Sequence, residues 1–542
     1  MKPIIRQMIC TDVVVLGSGA AGLRAAIEAR RHGVEVVIVS ASGIGHANNS
    51  SISHGGFSTS MVQDGDSAER FIEDTIRGGN KLNSRSLVRM LSYNISAEVC
   101  ALEKMGVTFR RVPEGSYALE GRGGHSVARR LSTIHSSGME LLLPLMRTIK
   151  QSKIRVLEGV KGVLLLKRGG FVYGVVGVSR KGEWVCVGGK TVILATGGGA
   201  ALYPKTTNVP WANGSGYALA YEAGLMVQDM EFVQFVLRHV NHPGIPARIP
   251  PIEVFLLSGA DLLNSSGQSI LRCINSFTRD AIARAVARAI EEERRENGGF
   301  VYLDLKKCRS TEGHSFSNFA TSTVRVVPAA HFFMGGVRVR NNLSTSIEGL
   351  YVAGETMGGV HGANRLGGNA LAEAFVFGAK AGELAAIFAK KCAANFEFLP
   401  LDYAAGELER QGAIFSGERS KLETVREISK LKKDLRTILG IHAGVLRSKS
   451  KLSSGLSALE TLKFAFCQLS PPAPQELWDW FDFSHSITVA QIIFRSCLER
   501  EETRGAHYRQ DFPQMDDENW LVNICINKSS QGKMTISRST VP

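Results

Sequence analysis

Two glycine-rich apolar segments, far apart along the chain, constrain the fold more than anything else in the 542-residue sequence. The first is VVVLGSGAAGLRAAIEARRHGVEVVIVS at 13–40. It predicts a strand at Asp12–Leu16, a tight turn, a helix over Ala20–His32 and a second strand over Val34–Val39. Leu23, Ala26 and Ile27 face the sheet. Gly17, Gly19 and Gly22 complete G-x-G-x-x-G. Gly17 makes the turn, Gly19 lets the backbone approach a pyrophosphate, and Gly22 allows close helix packing. Ala20 and Ala21 open the helix, whose free amides and dipole favour phosphate. The flanking strands and helix make this fingerprint far stronger than the glycines alone. The second strand ends at Ser40, where such units usually carry Asp or Glu for a ribose, and a hydroxyl can still make that bond.

The second segment is GLYVAGETMGGVHGANRLGGNALAEAFVFGAKAG at 349–382. It predicts the other wall of the same site. A nucleotide site assembled from both ends of a chain around a long insertion points to FAD and argues against a simple NAD dehydrogenase. The apolar strand Thr191–Thr196 leads into Gly197–Gly199, and its Ala195-Thr196-Gly197 ending brings further backbone amides toward the cofactor.

Length predicts two or three domains. Residues 65–150 are mostly helical by periodicity. Ile154–Leu157, Gly162–Leu166, Val172–Val178 and Trp184–Val187 predict a meander of short strands. Prolines cluster at 243–251, and an amphipathic helix follows at Asp280–Arg295. From about residue 400 the chain is helical and basic. No apolar run approaches the ~20 residues that span a bilayer. The N-terminus enters the first strand almost directly, which leaves no room for a signal peptide and predicts a cytoplasmic protein. Net charge is +14, but no arginine-lysine tract with interleaved aromatics occurs, so nucleic acid is not expected as a partner. None of the nine cysteines is spaced as C-x-x-C, so no zinc or iron–sulfur framework is read from them.

The chain resembles the flavoprotein subunits of fumarate reductase and succinate dehydrogenase, and the related L-aspartate oxidases. The matching segments, in order, are GSGAAG at 17–22, ISHGGF at 52–57, ATGGG at 195–199, GSGYALAYEAGLMVQDMEFVQF at 214–235 and TRDAIARA at 278–285. PAAHFFMGG at 328–336, GLYVAGE at 349–355, HGANRLGGNAL at 361–371 and ETRGAHYRQDFP at 502–513 follow. The resemblance implies a Rossmann-like FAD-binding domain (1–235 and 329–398), an inserted α+β capping domain (236–328) and a C-terminal helical domain with its tail (399–542). Hydride would pass between flavin N5 and a small carboxylate of the fumarate or succinate type. An iron–sulfur subunit would exchange electrons with the flavin, which would place the protein on the cytoplasmic membrane face through that partner. L-aspartate oxidase is the alternative, and a flavin electron-transfer subunit with an altered substrate site is a third reading.

The resemblance also assigns residues. Arg279 falls at the proton-transferring arginine, and Glu253 at its relay carboxylate. His331 and Arg365 fall where substrate carboxylate is held, and a planar guanidinium suits that contact. Glu355 would bond the ribityl chain, and His361 and Asn364 would line the flavin edge. Asn49, Ser50, Gly55, Gly56, Asn369, Ala370 and Leu371 complete the expected cofactor contacts. Asn49 stands where some relatives carry the histidine that attaches FAD, so non-covalent FAD is expected. The pattern departs at two positions. Val236 replaces a histidine, and Ile252 replaces a threonine. Arg238, His239 and His242 are the nearby groups able to hold that end of a dicarboxylate.

Overall fold

The computed structural model describes residues 4–5, 7–61, 65–121, 123–240, 252–271, 278–293, 300–306, 308, 323–392, 396–410, 422–469 and 472–542. Its centre is a seven-stranded sheet in the order Arg155–Glu158, Val36–Ser40, Met8–Leu16, Trp184–Leu194, Phe171–Ser179, Val160–Arg168, with Leu350–Val352 also on Trp184–Leu194. The contacts among 155–158, 36–40, 8–16, 184–194 and 350–352 are all parallel. Parallel strands covered on both faces read as continuous apolar runs. Val13, Val14 and Val15 are accordingly all buried.

The sequence splits 184–196 into two short strands, but the structure forms one, Trp184–Leu194, running through Gly188 and Gly189. A Cβ on Gly188 would lie 2.7 Å from the Phe398 ring, and one on Gly189 2.6 Å from Val14. These glycines admit neighbours and do not end the strand.

Helix Ala20–Arg31 crosses helix Asn369–Lys391 at very short range. A Cβ on Gly378 would stand 2.6 Å from the Ala21 carbonyl, and one on Gly382 2.3 Å from that of Ala25. The two distant sequence segments are thereby locked to each other by the absence of side chains.

The capping domain has its own four-stranded antiparallel sheet, in the order Val233–His239, Thr323–Phe333, Val301–Asp304, Asp261–Leu263. Helix Arg279–Glu293 covers it, and Ile282, Val286, Leu262, Val301 and Val324 form part of a separate apolar cluster. The C-terminal part contains helices Leu401–Arg410, Leu422–His442, Lys449–Cys467 and Leu477–Glu499. It then departs from the helical expectation. Val522–Lys528 and Met534–Thr540 pair as a hairpin, and the first of them pairs with Val227–Gln228. Alternation there is too short and too polar on one strand to announce itself.

Arg447, Arg500, Arg504 and Arg509 are among the largest fully buried side chains. Arg500 Nε donates to Glu231 at 2.7 Å and its Nη1 to Glu502 at 2.9 Å; Arg504 Nε donates to Glu502 at 2.7 Å. Buried charge is tolerated only when paired in this way. The network fixes the segment that carries Gly505 and Ala506 directly behind Ala363, whose carbonyl accepts from Ala506 N at 3.0 Å.

Candidate active site

The parallel strands end at Leu16, Ser40, Leu194 and Val352 along one edge of the sheet, and the loops that follow open onto a cavity of about 1600 Å³. Ligands bind in this position in open α/β sheets. Gly17, Gly19, Ala20, Ala21, Ser40, Asn49, Ser50, Gly56, Ala195, Thr196, Gly197, Glu355, Ala370 and Leu371 all line it. Gly22, Gly55 and Asn369 stand behind the lining. A Cβ on Gly22 would meet the Gly17 carbonyl at 2.0 Å, one on Gly55 the Ser137 carbonyl at 2.4 Å, and buried Asn369 donates to Thr75 Oγ1 at 3.3 Å.

The cradle is mostly bare backbone. Gly17 has φ of +114° and would place a Cβ 2.1 Å from the Ala195 carbonyl, so no other residue fits the turn. Gly197, at φ of +78°, faces open space. Ser40 Oγ is 2.7 Å from Ser18 Oγ at the end of the second strand. Ala20 N bonds to Ser50 Oγ at 3.2 Å, at a helix N-terminus where an anion is favoured. These features fit the phosphates and ribose of FAD.

Glu355 Oε1 accepts from Phe333 N at 3.0 Å, and the carboxyl lies over Gly198, which has no Cβ to obstruct it. Burial pushes its pKa up to about 8, with Glu373 adding to the rise. His361 is turned away from the cavity, bonded through Nε2 to Glu373 at 2.9 Å, while Asn364 lines it.

Arg279, His331 and Arg365 share the same cavity. A bulge explains His331. Gln234 pairs with Phe332 and Phe235 with Ala330, so His331 has no opposite residue in the ladder. Bulges re-aim side chains in this way. His331 Nδ1 is 2.7 Å from Thr207 Oγ1, and Asn208 Nδ2 donates to its carbonyl at 2.7 Å. Burial, then the charges of Arg365, Arg279 and His54, hold its pKa well below the usual histidine range. His331 is therefore a neutral ring at neutral pH.

Arg365 Nη2 donates to Gln234 Oε1 at 2.9 Å, while Gln234 Nε2 donates back to the Arg365 carbonyl at 2.9 Å. Its guanidinium lies 4.7 Å from the Phe332 ring centre. Arg279 begins helix Arg279–Glu293, and its Nη2 is 3.6 Å from where a Gly367 Cβ would be. That helix is tethered at its other turns, because Arg288 Nη2 donates to Tyr508 Oη and Lys451 pairs with Glu291. Glu253 lies in helix Ile252–Leu257, and its side chain and His242 lie outside the described residues.

Sequence reasoning misses Gln234, Thr207 and Asp280. Asp280 follows Arg279 in the motif, lines the cavity, and has its pKa pushed up to about 6 by burial against the pull of Arg284, Arg279 and Arg365. Only the fold brings Thr207 to His331 and Gln234 to Arg365, so no linear spacing signals either.

Residues 12–371 match the FAD binding domain family, and residues 432–542 match the fumarate reductase flavoprotein C-terminal family. One of the polypeptides of the CoM/CoB fumarate reductase of Methanothermobacter marburgensis is 32% identical, over 96% of this chain and 97% of that protein. L-aspartate oxidase 2-a of Nicotiana tabacum, a chloroplastic protein, is 29% identical, over 95% and 83%. Among solved structures, E. coli quinol fumarate reductase FrdA superposes with a TM-score of 0.87 at 26% identity, covering 99% of this chain and 97% of that one. With cradle, cap and both family matches in agreement, this chain belongs to the fumarate reductase and succinate dehydrogenase flavoprotein family and is an FAD-dependent oxidoreductase.

Proposed function

We propose that the protein interconverts a small unsaturated dicarboxylate and its saturated form, as in fumarate and succinate. The observation that supports this most is the meeting of Arg279, His331 and Arg365 on the cavity that holds the glycine cradle. FAD, when bound, supplies or takes up hydride at its ring nitrogen. Arg365 clamps one substrate carboxylate with its planar donors, oriented by Gln234. Neutral His331, set by Thr207, donates to the same group. Arg279 holds the proton that goes to the carbon next to the hydride acceptor, and Glu253 is its relay in this reading. Helix Arg279–Glu293 and the aliphatic residues Val236, Leu237 and Ile252 exclude water from the reacting carbons.

The same reading takes 1–235 and 329–398 as the FAD-binding parts, 236–328 as the cap and 399–542 as the C-terminal part. FAD is held without a covalent bond, since Asn49, at the attachment position, is engaged with Asn208 Oδ1 at 2.6 Å and Val209 N at 3.1 Å. An iron–sulfur subunit supplies the electrons. Among the described residues no group of His, Cys, Asp or Glu is arranged to hold a metal, and no helix is long and apolar enough to cross a membrane.

The test is to bleach the purified flavoprotein with dithionite under anaerobic conditions and add fumarate. Reappearance of the oxidised flavin band is expected. A flavin that fumarate leaves bleached and succinate leaves oxidised would end this reading. L-aspartate oxidation is the second reading, favoured by the asparagine at the attachment position and by the aspartate oxidase relative; anaerobic bleaching by L-aspartate but not by succinate would select it.

A further inference from the structure

Arg365 and His331 account for one carboxylate of the proposed substrate. The capping-domain wall offers little to the other. Val236, Leu237 and Ile252 line the cavity there, and Leu237 and Ile252 belong to the apolar cluster of the cap. An aliphatic wall cannot meet the hydrogen-bond demand of a carboxylate. Arg238 donates through Nη1 to the Thr206 carbonyl at 2.6 Å. Of the other cations on the cavity, Arg77 is paired with Asp74 and Lys161 with Asp482. Arg284 lies beside Asp280 and over the Tyr508 ring.

Arg130 differs from all of these. It opens the short strand Arg130–Ser132, opposite Ser58 on Gly56–Ser58. Phe57 and Leu131 are fully buried in the main core, so Ser58 and Arg130 emerge on the opposite face. That face belongs to the cavity, which Arg130 lines. The guanidinium lies across Gly56, where a Cβ would stand 2.5 Å from Arg130 Nε. Nη2 donates to the His54 carbonyl at 3.3 Å. Among the described residues no carboxylate stands within ion-pair distance of it, because its strand neighbour Glu120 is paired with Arg110 at 3.3 Å. Burial, with the charges of Arg279 and Arg110, holds its pKa below the usual arginine range against the pull of Glu120. The strand is also stitched to the Arg365 loop, since Ser58 Oγ donates to the Gly367 carbonyl at 2.8 Å and Ser58 N to that of Gly368 at 3.2 Å. A largely buried cation with donors to offer thus stands beside the reacting centre and one short loop from Arg365.

We propose that Arg130 receives the second carboxylate of the substrate and selects dicarboxylates over monocarboxylates. This rests on the carboxylate-substrate reading above. A guanidinium fork on a carboxylate is a strong, directional contact, and its loss should weaken binding about 10- to 100-fold.

The experiment titrates the flavin absorption band of the FAD-loaded full chain with fumarate and with crotonate, in which one carboxylate is replaced by methyl. Arg130→Met should weaken fumarate about 10- to 100-fold and leave crotonate within about twofold. Arg130→Lys, which keeps the charge and loses the fork, should weaken fumarate about tenfold with crotonate unchanged. Flavin content and circular dichroism report whether each variant folds. Unchanged fumarate affinity in either folded variant overturns the assignment, as does an equal loss for both ligands. A wild type that turns fumarate over while Arg130→Lys binds it undiminished overturns the assignment alone. A wild type that binds no dicarboxylate overturns the functional reading as well.

Discussion

The glycine cradle and the capping-domain wall face the same cavity but are built by different means. The cradle is backbone. Gly17, Gly19 and Gly197 contribute no side chain, and Gly17 has no sterically possible replacement. The wall is side chain. Aliphatic Val236, Leu237 and Ile252, the guanidinium of Arg279 and the imidazole of His331 present three chemistries from elements whose backbone would tolerate other residues. A site made of backbone is dictated by packing, so it announces itself in sequence. A site made of side chains is free to alter its ligand without altering its fold.

The sharpest break in that contrast comes from the cradle. Gly17→Ala should destabilise the chain by about 3 kcal/mol or more, since it combines a positive φ with a backbone clash. Denaturant unfolding and flavin content should both fall. Among the side chains that face the substrate, Arg365→Gln should leave flavin content intact and lower kcat/KM about 100-fold, the loss of a charge-assisted contact worth roughly 2–3 kcal/mol. Equal loss of flavin in both variants would erase the distinction.

A pH titration tests the boundary between the two, at Glu355. Its folded pKa, about 8, lies above the unfolded value of 4.5, so the native state holds a proton that the unfolded chain has released. Its contribution is fully present below the unfolded pKa and is lost as pH rises through about 8. Thermal unfolding of the FAD-free chain should therefore drop between these limits, with this carboxyl giving at most about 1.4 kcal/mol per pH unit. Glu355→Gln should remove that share. Asp229, also raised to about 8 by burial and by Glu231, keeps its own share.

Smaller effects test how the wall is held. Tyr508→Ala removes the ring over which Arg284 and Arg288 lie at 5.4 and 4.9 Å. It should cost about 1 kcal/mol of stability and a few-fold in kcat, with flavin content unchanged. Lys451→Met breaks the exposed pair with Glu291 and should change the unfolding midpoint by less than about 0.5 kcal/mol.

The same contrast explains what the sequence discloses. The first strand, turn and helix are legible because steric necessity leaves one residue type at Gly17 and an apolar run at Val13–Leu16. HGANRLGGNAL is legible as a motif for a related reason, as Gly368 at φ of +88° must turn the chain into helix Asn369–Lys391. Arg130 is not, since one arginine in HSVARRLS reads like any other until the strand opposite Gly56–Ser58 places it. Its neighbour Arg129 is fully buried between Asp66 and Asp74 and serves the core. Two adjacent arginines with opposite roles are separated only at the point where the chain enters a three-residue strand. Gln234 and Thr207 escape for the same reason, because their partners are distant in sequence. The C-terminal hairpin is hidden because its strand Met534–Thr540 is mostly exposed.

The bulge at His331 has a consequence for how such proteins diversify. A residue standing outside the ladder can be exchanged without shifting Phe332 and Phe333 from their pairing. Position 331 can therefore change chemical taste for the loss of one contact, that with Thr207, while the ladder stays in register. Libraries aimed at new acids should randomise it early, while the flanking phenylalanines stay fixed.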